Sequence, residues 1–461
     1  MELLKRINDI IWSAPLIILL IGVGVYFTCR CRLIQLHVFS ALRGSMKKSG
    51  KGDLSPMQSL CTMLAATLGT GNIVGVATAV ALVTIGGGGA GALFWMALSA
   101  FFAMATIYAE GVLAIKFRRF NSKGEVTGGP FYYIEDGLGK KFRPLAKLFA
   151  LFGVCATCLG MGTAAQSNAI LSSFEIMLDM PGSKTLALVV AIALVLLSGF
   201  VLLGGVHRVG SVVSVVVPFM AVFYIIGCLL IILVNADALP GAFSTILKEA
   251  FSLKSAGLGI GGTCMAAAIR MGVARGLFTN EAGMGTTPIA SATASTNDPA
   301  KQGLMSAFST FVDTLVISML SGLVLIITGA HQSQQAGLQS TVDAFSRGLP
   351  FAPWVGKWVV TLGLILFAYA TIIGWSFYGE KCSEYLFGER SVRPYRFFFL
   401  ICLFFTPFIP FDAVWQLGDI FNALMALPNL IALLLLRKVV ARETDLYFER
   451  RHRRFRKNMY I

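Results

Sequence analysis

Residues 64–75 read LAATLGTGNIVG, which places three glycines and several polar side chains inside a long apolar segment. This segment covers about residues 56–84 and is long enough to cross a bilayer core of about 30 Å as a helix. Glycine reaches backbone angles that other residues avoid, and it lets a ligand come close to the main chain. We therefore predict a membrane helix that is interrupted near Gly69, Gly71 and Asn72.

An interrupted helix offers two kinds of binding group in the middle of a membrane. Amide N–H groups at the start of its second half suit a carboxylate, and carbonyl groups at the end of its first half suit an ammonium group or Na⁺. Such a helix can hold a zwitterion without burying a side-chain charge. The alternative is a packing face of small residues, because Gly71 and Gly75 have the G-x-x-x-G spacing. Asn72 inside the glycine cluster favours a binding site.

A second segment, over about residues 256–294, has the same character. It contains GLGIGG at 257–262, RMGVARG at 270–276 and NEAGMG at 280–285. Five predicted spans separate the starts of the two interrupted segments, and because five is odd, the second set of spans would be inverted relative to the first. Paired interrupted helices at matching places in two halves are typical of inverted-repeat transporters.

The composition of the whole chain indicates a membrane protein. Of its 461 residues, 56% are hydrophobic and 13% are charged, whereas soluble domains carry about 25% charged residues. Backbone groups in lipid must be satisfied within the segment, so long continuous apolar runs indicate helices. We predict an all-α polytopic membrane protein with eleven transmembrane helices, at about 10–28, 56–84, 90–116, 145–171, 185–206, 209–234, 256–294, 303–328, 356–380, 395–411 and 414–436.

The distribution of basic residues predicts the orientation. The net charge is +15, and Lys and Arg cluster in alternate loops and in the C-terminal tail. Such loops stay on the cytoplasmic side, so we expect the N-terminus outside and the C-terminus inside. The chain then divides into an extra N-terminal helix with a basic loop, two five-helix repeats and a basic cytoplasmic tail, at residues 1–55, 56–234, 235–436 and 437–461.

Polar residues on other spans are further candidates for the site. Gln166 and Asn168 lie late in the span at 145–171, where interhelical hydrogen bonding is the alternative role. Thr371 and Trp375 are four residues apart and share one helical face, where a hydroxyl and an indole could contact a polar ligand. Ordinary packing is the alternative for Trp375.

Three acidic residues lie within or near the predicted spans, namely Glu110, Glu281 and Asp313. Charged side chains are costly in lipid and are functional candidates by default. Glu110 and Glu281 could instead neutralise Arg270 or Arg275.

Signals for an enzyme are missing from the sequence. The four histidines have no metal-ligand spacing, and no G-x-x-x-x-G-K-[ST] nucleotide loop occurs. We expect no catalytic residue, no cofactor, no nucleotide and no nucleic-acid partner. Three classes remain: a secondary transporter, an ion or small-solute channel, and a membrane enzyme. The transporter is favoured because no ring of pore-lining charges is evident and no catalytic constellation is present.

Three motifs in this order resemble one known family, the alanine or glycine:cation symporters. They are GTGNIVG at 69–75, GLFTNEAGMG at 276–285 and GWSFYGEK at 374–381. The resemblance covers nearly the whole chain. It implies a leucine-transporter-type fold of two inverted five-helix repeats with one extra helix in front. It also implies uptake of alanine or glycine with Na⁺, in some members H⁺, by alternating access across the cell membrane.

The resemblance also carries over site residues by position. Substrate contacts are expected from Thr70, Gly71 and Asn72 at the first interruption, Gln166 from span 4, Met271 and Gly272 at the second interruption, and Thr371 and Trp375 from span 9. The cation would contact carbonyl groups of Ala66 and Gly69 with the Thr371 hydroxyl. Relatives often have Ser where this chain has Ala370, so one hydroxyl ligand is missing and H⁺ stays open as the coupling ion. A larger neutral amino acid such as glutamine also stays open.

Overall fold

The computed structural model describes residues 2–12, 14–39, 49–160, 162–252, 263–409 and 411–459, and these are mostly helical. The α-helices of the first half of the chain are α1 Glu2–Ile11, α2 Ala14–Arg30, α3 Pro56–Thr67, α4 Val76–Val80, α5 Ala92–Lys116, α6 Pro130–Tyr132, α7 Arg143–Leu159, α8 Ala164–Leu178, α9 Lys184–Leu202 and α10 Gly205–Val234. A short hairpin joins β1 Arg119–Phe120 to β2 Val126–Thr127.

The second half of the chain is also mostly helical. Its α-helices are α11 Leu239–Ala250, α12 Thr263–Asn280, α13 Thr287–Ser291, α14 Pro299–Thr310, α15 Met319–Ile327, α16 Leu338–Gly348, α17 Pro353–Phe387, α18 Val392–Phe405, α19 Phe411–Leu435 and α20 Arg437–Met459. Stretches of π-helix run over Gly71–Gly75, Tyr133–Gly137 and Phe311–Ser318.

The eleven predicted spans are matched in part. Within the described residues, seven helices are long and apolar enough to cross a membrane, or eight if the bent pair around the first interruption is one span. The predicted spans 10–28 and 395–411 correspond to α2 and α18, which have 17 and 14 residues. The predicted span 256–294 contains α12, but its glycines at 257–262 lie outside the described residues. The count of eleven and the orientation stay predictions.

The first interrupted helix is confirmed. Its first half, α3, starts with a capping box in which Ser55 and Gln58 exchange hydrogen bonds and Pro56 occupies the first helical position. The helix ends at Thr67, and the chain resumes at Gly71 as π-helix and then α4, with a bend of 52° between the two halves. π-helical turns often occur at functional sites.

The described chain unwinds at the predicted cluster 280–285, whereas the expectation that Met271 and Gly272 lie at the second break is wrong. Helix α12 runs without a break through both residues and ends at Asn280. The unwound segment covers 281–286, where Glu281, Gly283 and Gly285 all have positive φ angles of 55°, 81° and 80°. A cluster of residues in this region of backbone space cannot continue a right-handed helix. Glycine at 272 serves packing instead, since the main chain of Ala92 lies directly against it.

One end of the bundle is closed by main-chain pairing between the two interrupted segments. We call it the basic end, because Lys51, Lys116, Arg118 and Arg450 lie there around one cavity. Leu54, just before α3, forms a parallel bridge with Ala294, just after α13. Its N–H donates to the Thr293 carbonyl at 3.1 Å, and its carbonyl accepts from the Ser295 N–H at 2.8 Å.

Arg118, at the end of α5, reinforces this closure. Its guanidinium donates to the carbonyl groups of Ala292 and Ala294 at 3.0 and 2.8 Å, and to those of Lys51 and Thr296 at 2.7 Å each. The planar guanidinium has donors in a fixed fork, so it can hold several carbonyl groups at once. One side chain therefore ties together the segments that lead into the first interrupted helix and out of the second.

Candidate substrate and cation site

The first break brings α3, α8 and α17 together at its main chain. The Thr371 hydroxyl donates to the Leu68 carbonyl at 3.1 Å and lies equally far from the Phe367 carbonyl one turn back on its own helix. Leu68 has backbone angles of −74° and 88°, outside the helical region, so its carbonyl is turned out of the helix. The sequence reasoning missed Leu68 because an apolar side chain gives no hint of an exposed carbonyl.

Gln166 reaches the same break from α8. Its Oε1 accepts from the Thr70 N–H at 3.4 Å, and its Nε2 donates to the Thr70 hydroxyl at 3.3 Å. Both distances are long for hydrogen bonds, so these groups are only loosely paired. The structure thus brings Gly69, Thr70, Gln166 and Thr371 together, as the sequence reasoning expected. Asn168 instead donates to the Thr406 carbonyl at 3.0 Å, which is the interhelical role.

A cavity of about 280 Å³ begins at this break. Thr70 lines it together with Val74 and Thr78 of the second half-helix, Gly337, and Leu364 of α17. Because α3 starts at the basic end and runs away from it, Val74 and Thr78 lie on the far side of the break. A second cavity of about 330 Å³ shares Thr78 as a lining residue. The open space next to the break therefore lies away from the closed basic end.

Asn72 holds the shape of the break from within. Its side-chain oxygen accepts from the Gly69 N–H at 3.0 Å. Its amide nitrogen donates to Asp313 Oδ1 at 2.7 Å and to the Ser318 hydroxyl at 3.0 Å. The amide oxygen and the amide nitrogen of Asn72 are therefore both hydrogen-bonded. The side chain connects the unwound main chain to the π-helix at Phe311–Ser318.

At two glycines next to the break, neighbouring helices come so close that a larger side chain would collide with them. A Cβ at Gly71 would lie 2.9 Å from Cγ2 of Thr279, one residue before the end of α12. The first break is thus packed directly against the helix that leads into the second. A Cβ at Gly374 of α17 would lie 2.8 Å from the main-chain nitrogen of Ala66, the residue whose carbonyl group is a predicted cation ligand. Small residues at such contacts let membrane helices approach closely.

Met271 and Gly272 do not lie at the first break. Met271 lines the second cavity together with Phe278 and Trp415. Gly272 is packed against Ala92 of α5. Their role as substrate contacts stays a prediction, and it would require the substrate to reach α12 about two turns before that helix ends.

Trp375 lies at the second break rather than the first. Its Nε1 donates to Glu281 Oε1 at 3.0 Å, and the Thr286 hydroxyl donates to Glu281 Oε2 at 2.5 Å. All three side chains are buried. The Thr286 bond joins the two ends of the unwound segment, and the Trp375 bond joins the segment to α17. The sequence reasoning singled out Trp375 and Glu281 separately but not their contact.

The unwound segment is also held from α5 and α19. Asn429 donates to Glu110 Oε1 at 2.6 Å and to the Gly283 carbonyl at 2.9 Å, and the Tyr133 hydroxyl donates to Asn429 Oδ1. All of these polar groups are buried. Asn429 was missed in the sequence, where a single amide in an apolar run resembles an ordinary interhelical contact.

The acidic residues do not neutralise Arg275. Its guanidinium lies over the rings of Phe278 and Trp415, 5.7 and 5.4 Å from their centroids. Arg270 lines the second cavity, next to Arg275. Among the ion pairs of the described residues, none includes Glu110, Glu281 or Asp313. Neutral donors bind both carboxylate oxygens of Glu281 and of Asp313, and one oxygen of Glu110.

The oxygen groups at the first break suit a hard monovalent cation, which prefers carbonyl and hydroxyl ligands. The carbonyl of Leu68 and the hydroxyl of Thr371 converge there, and Ala66 and Gly69 are adjacent. No group of three or more His, Cys, Asp or Glu residues that could hold a metal ion occurs in the described part of the chain.

Comparisons with known proteins agree with this picture. A family model described as the sodium:alanine symporter family matches residues 1–460. The chain is 46% identical over 453 residues to an uncharacterised transporter of Haemophilus influenzae, covering 97% of this chain and 96% of that one. It is 41% identical over 459 residues to the sodium/alanine symporter AgcS of Methanococcus maripaludis, covering 97% of each.

A solved structure has the same overall fold at much lower identity. It is a mutant of the manganese transporter of Eremococcus coleocola, with a TM-score of 0.51 and 13% identity, covering 84% of this chain and 78% of the other. At this identity the similarity concerns the fold alone, so it supports the helical architecture.

Proposed function

Since the chain belongs to the sodium:alanine symporter family, we propose that it imports a small neutral amino acid, alanine or glycine, together with Na⁺. The transport would take place across the cell membrane by alternating access, with the two interrupted helices in symmetry-related positions of two inverted five-helix repeats. A relative named as a sodium/alanine symporter, 41% identical over 459 residues, supports the coarser part of the proposal, cation-coupled amino-acid transport.

The observation that carries the proposal is the convergence at the first break. Main-chain groups of Leu68, Gly69 and Thr70 meet polar side chains of two other helices, Gln166 and Thr371, beside a cavity of about 280 Å³. None of these groups carries a side-chain charge. A zwitterion supplies its own two charges, and the positive end of a half-helix and turned-out carbonyl groups complement them.

The Na⁺ would lie between α3 and α17. In this proposal the Leu68 carbonyl joins the carbonyl groups of Ala66 and Gly69, and the Thr371 hydroxyl supplies a ligand from α17. The contact of Gly374 with Ala66 holds the two helices close enough for shared coordination. Binding of Na⁺ would then order the break before the amino acid arrives, since both use the same main chain.

The closed basic end and the cavities beyond the break support one step of an alternating-access cycle. With the basic end in the cytoplasm, as the charge distribution predicts, this conformation is closed to the inside. The pairing of Leu54 with Ala294 and the Arg118 contacts would have to separate before the amino acid could leave. The first interrupted helix begins at that closure and the second ends there, so their movement and its opening would be coupled.

The proposal is tested by uptake into proteoliposomes that contain the purified protein. We expect saturable uptake of labelled alanine or glycine that is driven by an inward Na⁺ gradient and lost when choline replaces Na⁺. Competition with unlabelled alanine, glycine, serine and glutamine would identify the preferred substrate. Absence of gradient-driven uptake for every small neutral amino acid would contradict the proposal.

A further inference from the structure

Glu110, six residues before the end of helix α5, is an ionisable group that the proposed substrate and cation sites do not use. Its side chain is completely buried. Oε1 accepts a hydrogen bond of 2.6 Å from Asn429. Oε2 is buried and makes no hydrogen bond of ordinary geometry to the described residues. A buried polar oxygen without a partner needs an explanation in a native structure.

The surroundings of Glu110 contain no compensating positive charge. The titratable side chains that face it are Tyr133 from the π-helix after α6, Glu281 from the unwound segment and Tyr378 from α17. Among the described residues no Lys, Arg or His faces this carboxyl. The Tyr378 hydroxyl is also buried without a hydrogen-bond partner in that part of the chain. A buried charge without a counter-charge is far costlier than the neutral form, which the group adopts by binding a proton.

The two carboxyl groups at the second break differ in their partners. Glu281 accepts a hydrogen bond on each oxygen, from Trp375 and from Thr286, which is the arrangement that an ionised carboxylate requires. Asn429 donates to one oxygen of Glu110, and the other oxygen has no hydrogen bond of ordinary geometry to the described residues. Of the two, Glu110 is therefore the group suited to hold a proton in this conformation.

The protonation of Glu110 is linked to the shape of the unwound segment. Asn429 donates to both Glu110 and the Gly283 carbonyl, and the backbone N–H groups of Gly283 and Gly285 are directed toward the same carboxyl. An ionised Glu110 would attract these N–H groups, whereas a neutral Glu110 would turn an O–H donor toward them. The two forms therefore favour different arrangements of residues 283–285, and a ligand that prefers one arrangement shifts the equilibrium between them.

We propose that Glu110 is a proton-binding site of the transport cycle, so that one H⁺ moves inward with the amino acid in addition to Na⁺. This inference rests on the proposed function. The carboxylate takes the proton from water on the outer side, and Glu110 is neutral in the conformation that is closed at the basic end. When that end opens, water reaches the site and the proton leaves to the inside. The carboxylate that remains is the same group, so no other bond forms or breaks.

The experiment uses proteoliposomes of the whole protein with a pH-sensitive dye inside. A Na⁺ gradient and labelled alanine are applied, and internal pH and uptake are recorded together. For the unaltered protein we expect internal acidification that depends on alanine, and uptake that falls as the external pH rises from about 6 to about 8, because Glu110 then loads less often. Uptake driven by Na⁺ without any acidification would overturn the proton site and leave the proposed function intact. Absence of uptake would contradict the proposed function itself.

Glu110→Gln tests the assignment to this residue, because the amide keeps an acceptor for Asn429 and imitates the protonated form. We expect loss of the alanine-dependent acidification and of the pH dependence, while exchange of labelled for unlabelled alanine persists and shows that the variant is folded. Asp237→Asn, a matched change in an exposed loop, should behave as the unaltered protein. Acidification that persists in Glu110→Gln would assign the proton to another group and overturn the proposal. If the variant does not fold, the acidification measured with the unaltered protein still tests whether a proton is transported.

Discussion

The indole nitrogen of Trp375 donates a hydrogen bond of 3.0 Å to Glu281 Oε1, and so joins α17 to the unwound segment after α12. Thr371, one turn earlier on the same helix face, donates to the Leu68 carbonyl at the first break. A single face of α17 therefore contacts the main chain or a flanking side chain of both interruptions. A shift of this helix would therefore change contacts at both breaks together.

Trp375→Phe should leave Glu281 Oε1 without its donor while it keeps most of the ring volume. We expect a loss of roughly 1–3 kcal/mol of folding free energy, the cost of an unsatisfied buried acceptor. Thermal unfolding in detergent measures this loss. Trp358→Phe, a change at an exposed tryptophan of the same helix, is the control. Transport kinetics for alanine, glycine and serine that match those of the unaltered protein would argue against any role of Trp375 in the site.

Gly71→Leu should abolish transport while folded protein remains in the membrane. The new side chain would meet Thr279 at the point where the first break packs against α12, and it would fill the space next to Thr70. Uptake of labelled alanine and the amount of protein in size-exclusion chromatography are the measurements. Gly75→Leu is the matched control, since a Cβ at Gly75 has no neighbouring atom within 4 Å. Normal uptake by Gly71→Leu would refute the position of the substrate site.

Thr371→Val removes the hydroxyl that reaches the first break and keeps the shape of the side chain. We expect the Na⁺ concentration for half-maximal uptake to rise about tenfold, equivalent to about 1.4 kcal/mol. Thr371→Ser should retain most of the affinity because it keeps the hydroxyl. Thr361→Val is a control on the same helix, where the hydroxyl bonds only to its own helix. An unchanged Na⁺ dependence in Thr371→Val would remove this residue from the cation site.

Arg118→Gln should weaken the closure of the basic end, because four carbonyl groups lose the donors of one guanidinium. A Cys introduced at Ser295, which is buried in that closure, then becomes a reporter of its opening. We expect a maleimide to label Ser295→Cys at least about fivefold faster in the Arg118→Gln background, the lower end of ordinary conformational coupling.

Arg119→Gln is the control for this experiment, because Arg119 pairs with Asp136 and Glu135 rather than with the closure. Equal labelling rates with and without Arg118 would mean that the main-chain pairing of Leu54 with Ala294 keeps the end shut by itself.

The membrane class and the interruption at residues 68–70 could be predicted from the sequence because they depend on local composition, and the family could be predicted from three motifs. A run of apolar residues can satisfy its backbone in lipid only as a helix, and glycines next to Thr70 and Asn72 weaken that helix at one place. The grouping of Thr70 with Gln166 and Thr371 also agreed with the expectation.

The position of the second interruption depended on the tertiary structure. The glycine at 272 resembled part of a break, yet α12 continues through it. Gly272 lies against the Ala92 carbonyl, where a Cβ would not fit. The break occurs at Glu281, which has a backbone angle that Glu rarely adopts. Its side chain accepts hydrogen bonds from the nearby Thr286 and from Trp375, which is 94 residues away in the chain.

The sequence by itself determined which segments are apolar, where glycines weaken a membrane helix and to which family the chain belongs. What only the tertiary structure decided was which polar groups meet: Asn72 with Asp313, Glu110 with Asn429, and Arg118 with four carbonyl groups. The physical reason is that local preferences act over a few residues, whereas a buried polar group is satisfied by whichever donor the packing of distant helices brings within about 3 Å.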